Sequence, residues 1–428
     1  MRNTNMTRMG MKTLLVLVLL LTHALATASE SENAATRAQL SLNDLRTFTD
    51  VFNQVRRNFV EDLDDHELMN AAIRGMLSEL DPHSSFMEAG EFRQLDNSSR
   101  GRYSGIGVEL SIQNNDVKVV FVMEGGAADK AGLVAGDVIT SIDQTDLRGQ
   151  NMQVAVDNLR GEVGTTVEIT VRHENGEVSN LELVRDFVEV ASVFSRPVDM
   201  NYGYFQVTHF TRKSADELLE QIEYMQDNLK GSLKGIVLDL RNNTGGVLTP
   251  AVAMADGFLD KGLIVSMRGR AEDQQEYNAE PGQWLEGVPV VVLVNRSTAS
   301  ASEVLAGALQ DHGRALIIGE KTFGKGSVQS ILNLRNGSGL RLTTARYYTP
   351  NGRSIQAEGI IPDVKIEMVQ LVENDDPRKR EADLDGHLTN ESGGSPEVFD
   401  SEVGINDDYV MHQALIMLKA SNILSSTR

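Results

Sequence analysis

Apolar and polar positions change their period along the chain, and each change predicts a different kind of structure. Within residues 37–97 apolar side chains recur at spacings of three and four, as at Leu45, Phe48 and Phe52, which is typical of amphipathic helices. A second such run, "HELMNAAIRGMLSEL", stops before Pro82, which ends a helix. These helices have no core of their own, so they must pack on the rest of the chain or on a second copy of it.

The pattern then turns to short strands. Residues 98–187 contain strand-like runs divided by glycines, with two helical interruptions. Residues 188–370 alternate strands with helices, and runs such as "KGIVLDL" and "PVVVLVN" are apolar almost throughout, as in strands buried on both faces. We therefore expect an α/β multidomain protein: a helical N-terminal segment, a β-rich module with two helices, and an α/β core with functional residues in loops at the strand ends.

The two ends of the chain have their own patterns. Residues 1–28 carry three basic residues, a short apolar run and small residues of the Ala-x-Ala type, which predicts a secretory signal peptide, with an uncleaved anchor as the alternative. Residues 373–407 are acidic and rich in Gly and Ser, as in a flexible linker. Residues 408–428 predict a final amphipathic helix, whose apolar stripe has no domain of its own to cover it.

Composition narrows the classes of function. The 428 residues carry a net charge of −21, which excludes nucleic acid as the main partner because phosphate binding needs a basic surface. The chain has no cysteine, so disulfides, thiol nucleophiles, thiolate metal sites and a lipid-anchored cysteine are all excluded. Its eight histidines are scattered and form no HExxH pair. We expect neither a metal nor a cofactor.

One segment concentrates hydroxyl groups. "VNRSTASASEVLAGALQDHGRA" places Ser297, Thr298, Ser300 and Ser302 between an apolar strand and a predicted helix. A serine at such a turn is placed like a nucleophile beside free helix N–H groups. The alternative is an ordinary N-cap serine. On this segment alone both interpretations stay open.

A nucleophilic serine also needs a base. His312 lies about 18 Å further along the same helix from Ser300 and is a poor candidate. Lys325, between two glycines in "TFGKGSVQS", is a better one, provided that burial lowers the pKa of its amine. Gln329 could hold that amine by a hydrogen bond without adding charge. The alternative is a solvated loop lysine.

A third segment, "LDLRNNTGG", follows a buried strand and ends in two glycines. It is either a plain turn or the source of a backbone N–H for an oxyanion hole. "STASASE", "TFGKGSVQ", "DLRNNTGG", "AAIRGMLSELDPHSSF" and "YSGIGVEL" together resemble the carboxyl-terminal processing (tail-specific) serine proteases of peptidase family S41, from about residue 40 to residue 370. The five segments occur in that family's order.

The resemblance implies a role for each site residue. It makes Ser300 the nucleophile, Lys325 the base and Gln329 the support of the lysine, with the backbone N–H groups of Gly246 and Ala301 as oxyanion donors. Many family members have Pro or Ser in place of Thr244 of this chain, which should leave the neighbouring N–H groups unaffected. Asp311 also matches a family aspartate with a proposed part in catalysis. The helix dipole destabilises a carboxylate near the C-terminal end of a helix, so Asp311 needs a cationic partner such as Arg314. A structural ion pair is therefore its preferred role.

The module of residues 98–187 resembles a PDZ domain. That resemblance makes Gly105, Ile106, Gly107 and Val108 the loop that captures the carboxylate of a peptide, whose body adds as a strand. The alternative is an unrelated small β-module. Arg160, at a predicted helix end, is either a partner of the helix dipole or, by the resemblance, a residue that couples the PDZ domain to the active site.

The resemblance implies an exported serine endopeptidase that recognises protein C-termini, preferably apolar ones, and cleaves cell-envelope proteins with a Ser/Lys dyad. It also implies a homo-oligomer in the bacterial periplasm, at the inner or outer membrane face, with a helical-repeat lipoprotein as a candidate adaptor. The first alternative is a PDZ adaptor with an inactive protease domain. A trypsin-like PDZ protease is disfavoured, since neither a His/Asp/Ser triad nor a GDSGG segment is visible.

Overall fold

The computed structural model describes residues 41–270, 274–366 and 408–426. The predicted signal peptide (1–28) and linker (373–407) lie outside these residues. The chain divides into two units, one up to Leu80 and one from Asp81 onward. No helix among the described residues is long and apolar enough to cross a membrane.

The first unit contains the two helices that the periodicity predicts. They are α1 (Leu42–Asn58) and α2 (Asp65–Ser78). Ser41 and Asp64 cap their N-termini by accepting hydrogen bonds from backbone N–H groups. No residue of α1 is buried. Its apolar stripe is therefore open to solvent in a single chain, with Leu42, Leu45, Phe48 and Val51 all exposed.

The second unit begins with a helix and the predicted β-rich module. Helix α3 (Ala89–Ser99) precedes a sheet in the order β3-β4-β5-β7-β8, with β6 paired to β5. The strands are β3 (Val108–Gln113), β4 (Asp116–Val122), β5 (Val138–Ile142), β6 (Thr145–Asp146), β7 (Thr166–Arg172) and β8 (Val178–Val184). The helices are α4 (Ala127–Lys130) and α5 (Met152–Leu159). Among the described strands β3 pairs only with β4, so its other edge has no neighbouring strand. These elements confirm the predicted PDZ fold.

A two-stranded ribbon carries the chain into and out of this module. Strand β2 (Arg102–Gly105) pairs antiparallel with β9 (Asp186–Glu189). The Arg102 guanidinium lies 3.8 Å from the centre of the Phe187 ring, a cation–π contact between the two strands. The ribbon therefore connects the predicted carboxylate loop directly to the chain that enters the next domain.

The predicted α/β core is built on a six-stranded sheet in the order β10-β11-β12-β15-β16-β19. Its strands are β10 (Val193–Val198), β11 (Tyr202–Val207), β12 (Gly235–Asp239), β15 (Val290–Val294), β16 (Ala315–Gly319) and β19 (Val364–Lys365). All neighbours are parallel except β10 and β11. Strands β12 and β15 are fully buried, as their apolar runs predict. Helices α6 (Ser214–Asn228), α7 (Leu248–Phe258) and α8 (Ala301–Asp311) belong to the same domain.

A second sheet completes the core. It contains β1 (Ser85–Met87), β13 (Gly262–Gly269), β14 (Gln274–Ala279), β17 (Ser327–Asn333) and β18 (Gly339–Tyr348). Strand β18 pairs with β1, β13 and β17. It therefore brings the segment just after Asp81 to the same sheet as the predicted lysine loop.

The C-terminal helix, α9 (Tyr409–Ser426), corrects one expectation. Its apolar stripe was expected to lack a covering domain, but it packs on the six-stranded sheet. Met411, Ala414, Leu415 and Leu418 are buried in one cluster with side chains of β12, β15 and β16. Burying a large apolar side chain contributes about 1.5–3 kcal/mol, so this helix is an integral layer of the domain.

Candidate active site

Ser300 lies at the turn between β15 and α8, immediately before the first residue of the helix. Its backbone has φ 59° and ψ −119°, a conformation that is strained for any residue except glycine. The side chain is half-buried. Such strain at a strand-to-helix turn is typical of a nucleophile held at the edge of a sheet.

The neighbouring hydroxyl groups have structural hydrogen bonds. Thr298 Oγ1 donates to the carbonyl oxygen of Leu240 at 2.8 Å, and Ser302 Oγ donates to that of Asn243 at 3.0 Å. Both side chains are fully buried, whereas Ser297 is exposed. These contacts explain why the segment is rich in hydroxyls: two of them tie the helix start to the loop after β12.

That loop, residues 240–246, is anchored by Asn243, which the sequence analysis did not single out. The buried Asn243 side chain donates to the Val207 carbonyl oxygen at 2.8 Å and accepts from the N–H of Gly245 at 2.9 Å. Its own carbonyl oxygen accepts from the N–H of Ala299 at 3.0 Å. Asn243 thus fixes the glycine pair against the turn that carries the serine.

Both glycines of the pair have positive φ, 103° for Gly245 and 141° for Gly246. A Cβ atom on Gly246 would lie 2.2 Å from the Phe210 carbonyl oxygen, so no other residue fits there. Among the described residues, the N–H groups of Gly246 and Ala301 have no hydrogen-bond acceptor. Ala301 is the first residue of α8, where a backbone N–H lacks an acceptor within the helix. Both predicted oxyanion donors are therefore available.

Lys325 lies in the loop between β16 and β17 and is half-buried. Gly326 lets this loop pass close to the backbone at Gln356, because a Cβ atom at position 326 would lie 2.3 Å from the Gln356 nitrogen. Burial lowers the pKa of the Lys325 amine, and the positive charge of Arg341 lowers it further. Within the described residues no carboxylate forms an ion pair with this lysine. The environment therefore favours the neutral amine that a general base requires.

Glu303 joins the serine to the lysine loop. Its carboxylate is fully buried, and one oxygen accepts from the backbone N–H groups of both Ser300 and Lys325, at 2.8 Å each. The other oxygen accepts from Thr322 Oγ1 at 2.5 Å and from Gly324 N–H at 2.7 Å. The sequence analysis missed this role. The available signal was a glutamate three residues after an N-cap serine, the spacing of a capping box.

Within the described residues, no hydrogen bond joins Ser300 Oγ to Lys325 Nζ, and none joins Lys325 to Gln329. The Gln329 amide instead donates to Ser327 Oγ at 2.8 Å and to Thr343 Oγ1 at 3.4 Å. Thr343 Oγ1 in turn donates to Asp81 at 3.1 Å. Gln329 is thus held beside the lysine loop by a polar chain across the second sheet.

Asp311 is the last residue of α8, about 16 Å along the helix from Ser300. Its carboxylate pairs with Arg353 and accepts from the N–H of Asn351 at 2.9 Å. The expected partner, Arg314, was wrong. The Arg314 guanidinium instead donates to the backbone carbonyls of Phe258, Leu285 and Val288. Asp311 therefore holds the loop that contains Asn351 and Arg353 against the C-terminal end of α8, far from Ser300.

The PDZ domain has a groove between its free edge strand, β3, and helix α5. A cavity of about 240 Å³ there is lined by the predicted carboxylate loop, Gly105, Ile106, Gly107 and Val108, and by residues of α5. The carbonyl oxygens of Ile106 and Gly107 accept from Ala128 and Met123. The N–H groups of Ile106 and Gly107 donate to none of the described residues. The groove therefore offers free donors at one end and a free strand edge along its side.

Two arginines lie where this groove meets the ribbon. The Arg160 guanidinium, which lines the groove, lies 5.5 Å from the ring centre of Tyr103 in β2. Arg185, just before β9, is buried and donates to the carbonyls of Asn158 and Leu159 at the end of α5. A Cβ atom on Gly161 would lie 2.8 Å from Arg185 Nε, so this glycine makes room for the buried arginine. The sequence analysis noticed only Arg160.

Comparisons with known proteins identify the family of the chain. The profile of Peptidase family S41 matches residues 201–366, a PDZ-domain profile matches residues 118–173, and that of the Activating protease CtpB N-terminal domain matches residues 10–90. The Carboxy-terminal-processing protease of Bartonella bacilliformis is 42% identical over 355 residues, 82% of this chain and 82% of that protein. The Carboxy-terminal processing protease CtpA of Bacillus subtilis is 34% identical over 319 residues, 74% of this chain and 68% of that protein.

Among solved structures, that of the photosystem II D1 C-terminal processing protease is 32% identical and covers 77% of this chain and 94% of its own, with a TM-score of 0.46. The fold, the loop with the glycine pair (residues 240–246) and the sequence relatives together define a PDZ-containing serine peptidase of the S41 class. Within that class, the chain belongs to the carboxy-terminal-processing proteases. The family resemblance seen in the sequence is confirmed.

Proposed function

We propose that this carboxy-terminal-processing protease cleaves peptide bonds with Ser300 as nucleophile and Lys325 as general base. The observation that carries the proposal is the Glu303 carboxylate, which holds the backbones of both residues through one oxygen. A half-buried lysine with a lowered pKa and with no acidic partner among the described residues supports the role of base.

In the proposed mechanism the neutral Lys325 amine takes the proton of Ser300 Oγ as that oxygen attacks the scissile carbonyl carbon. The N–H groups of Gly246 and Ala301 stabilise the oxyanion of the tetrahedral intermediate. The lysine then passes its proton to the leaving amine, and an acyl-enzyme remains. Water, deprotonated by the same lysine, releases the acyl group and restores Ser300. No metal or cofactor takes part in these steps.

The serine–lysine hydrogen bond is expected to form when substrate binds. Catalytic hydrogen bonds are often long in free enzymes and tighten in the complex. The free Gln329 carbonyl oxygen is suited to accept from the Lys325 amine at that stage, since only the amide nitrogen of Gln329 has hydrogen bonds to described residues. We retain Gln329 as the residue that supports the base, and Asp311 as a structural residue.

Substrate recognition is assigned to the PDZ groove. A peptide C-terminus would place its carboxylate on the N–H groups of the loop from Gly105 to Val108, and its preceding residues would add to the free edge of β3. The apolar lining favours apolar C-termini. Arg160 contacts Tyr103 of the ribbon. We propose that this contact couples peptide binding in the groove to the protease domain. Arg160→Gln should then slow cleavage without weakening peptide binding.

The wider setting is proposed from the sequence pattern of the termini and from the family resemblance. We propose export to the periplasm through residues 1–28, action on cell-envelope proteins, and the domain limits 37–97, 98–187, 188–370 and 408–428. The exposed stripe of α1 supports a homo-oligomer. A helical-repeat lipoprotein adaptor remains part of the proposal through the family resemblance alone.

The test of the dyad compares single serine variants. Ser300→Ala should abolish proteolysis of a peptide with an apolar C-terminus, whereas Ser297→Ala should retain most activity because that side chain is exposed. Ser302→Ala loses one buried hydrogen bond and should cost stability rather than chemistry. Activity in a folded Ser300→Ala protein would refute the assignment. A trap experiment with the same variant would identify natural substrates that stay bound.

A further inference from the structure

A cluster of charged side chains links the C-terminal helix to the loop after β12. Arg241, in that loop, donates to both carboxylate oxygens of Asp408, at 2.8 and 2.6 Å. It also pairs with Asp239, the last residue of β12, at 2.5 Å. The Tyr204 hydroxyl donates to Asp239 at 2.8 Å. One guanidinium therefore bridges the protease sheet and the residue that precedes α9.

Asp408 is itself fixed by α9. Its carboxylate accepts from the N–H of Met411 at 3.0 Å, so it caps the first turn of the helix. The Met411 side chain is buried against the sheet. Burial raises the pKa of Asp408, but the hydrogen bonds from Arg241 and Met411 outweigh it and leave that pKa below its usual range. The carboxylate is thus charged and held in place at neutral pH.

Arg241 lies at the base of the loop that ends in the glycine pair. The next residue, Asn242, has positive φ (61°) and exchanges hydrogen bonds with Asn295, which precedes the serine segment. Arg241 is only partly exposed, and the Asp239 carboxylate beside it is almost fully buried. A guanidinium held from both sides by carboxylates restricts the backbone at this point. Arg241 and Gly246 belong to the same short loop, residues 240–246, between β12 and α7.

We propose that Asp408 is a positioning residue for catalysis. Through its ion pair with Arg241, it ties the C-terminal helix to residues 240–246, the oxyanion loop, and holds that loop in place. This inference rests on the proposed role of the Gly246 N–H. Asp408 does not touch the substrate and acts only through Arg241. The carboxy-terminal helix is then part of the active-site scaffold as well as of the core.

The test replaces Asp408 with Asn in the full-length protein. Asparagine is an equally good helix cap, so the hydrogen bond to Met411 is kept while the charged pair with Arg241 is lost. We expect kcat to fall about tenfold with KM nearly unchanged, less than the hundredfold or more that follows removal of an oxyanion donor. Asp408→Glu, which keeps the charge, should recover most of that loss.

The matched control is Lys419→Gln. Lys419 pairs with Asp199 at 2.5 Å, further along the same helix and away from the oxyanion loop. This change removes an ion pair of α9, so its kcat should equal that of the unaltered protein. Thermal unfolding reports how firmly the helix is docked in each variant. If Asp408→Asn proves too unstable, Arg241→Lys serves instead, since lysine keeps the charge but cannot bond both carboxylates bidentately.

The outcomes separate the two proposals. The positioning role of Asp408 would be refuted by an unchanged kcat in folded Asp408→Asn. It would also be refuted if kcat fell equally in Lys419→Gln. Activity in Ser300→Ala would overturn the proposed dyad independently of that role. A fall in kcat for Asp408→Asn alone, with recovery in Asp408→Glu, supports the positioning role.

Discussion

Gly245 lies directly against Ser300: a Cβ atom on the glycine would be 2.8 Å from the serine Cβ and 3.2 Å from the nitrogen of Ala301. The glycine loop and the helix start are therefore in van der Waals contact, with no room for a methyl group between them. This contact sets the separation between the proposed nucleophile, Ser300, and the proposed oxyanion donor on the glycine loop, the Gly246 N–H.

Gly245→Ala should reduce kcat at least a hundredfold, because the added methyl group must push the loop from the serine and misplace the Gly246 donor. The positive φ of Gly245 adds strain to the same substitution. Steady-state kinetics and circular dichroism would measure activity and fold. Gly90→Ala in α3, where the new methyl group meets nothing, is the control and should leave kcat unchanged. A fully active Gly245→Ala enzyme would contradict the contact.

Lys325→Arg should be as inactive as Lys325→Ala. Guanidinium stays charged at any usable pH and cannot accept the proton of Ser300. Peptide cleavage by the two variants would be compared with that of Lys321→Arg, an exposed lysine in the same loop that should tolerate the change. Substantial activity in Lys325→Arg would mean that the lysine has a structural role only.

The pH profile should reveal the environment of Lys325. Only the neutral amine is active as a base, so kcat/KM should rise with pH through the lysine pKa. Burial and then the charge of Arg341 lower that pKa. Arg341→Gln removes the second influence, raises the pKa, and should move the acidic limb of the profile to higher pH. Arg335→Gln, an exposed arginine between β17 and β18, should not move it. An unmoved limb in Arg341→Gln would exclude Lys325 as the group observed.

Assembly through α1 should be visible in sedimentation. Leu45 and Phe48 are exposed in a single chain, so changing both to Glu should cost the monomer little stability yet disrupt an interface built on them. The mature chain is expected to sediment as an oligomer and the double variant as a monomer. Met200→Glu, an exposed apolar residue outside α1, is the control. A monomeric unaltered chain would rule the proposal out.

Much of the fold could be predicted because it follows local patterns. The helices of the N-terminal segment match the spacing of their apolar residues, and the buried strands β12 and β15 match their nearly continuous apolar runs. The candidate residues of the site were also visible in the sequence: a serine between a strand and a helix, a lysine between two glycines, and a glycine pair after a buried strand. Those residues lie where loops of one domain meet.

The partners of charged and polar groups could not be predicted in the same way. Asp311 pairs with Arg353 rather than with the nearby Arg314, and Glu303 bonds a loop some twenty residues away. The sequence alone determined which segments form helices and strands and which side chains are candidates for the chemistry, because periodicity and functional groups are local properties. Only the tertiary structure decided that α9 covers the protease sheet and that Asp408 reaches Arg241. Such contacts join residues far apart in the chain, and the packing of the whole domain, not their spacing, brings them together.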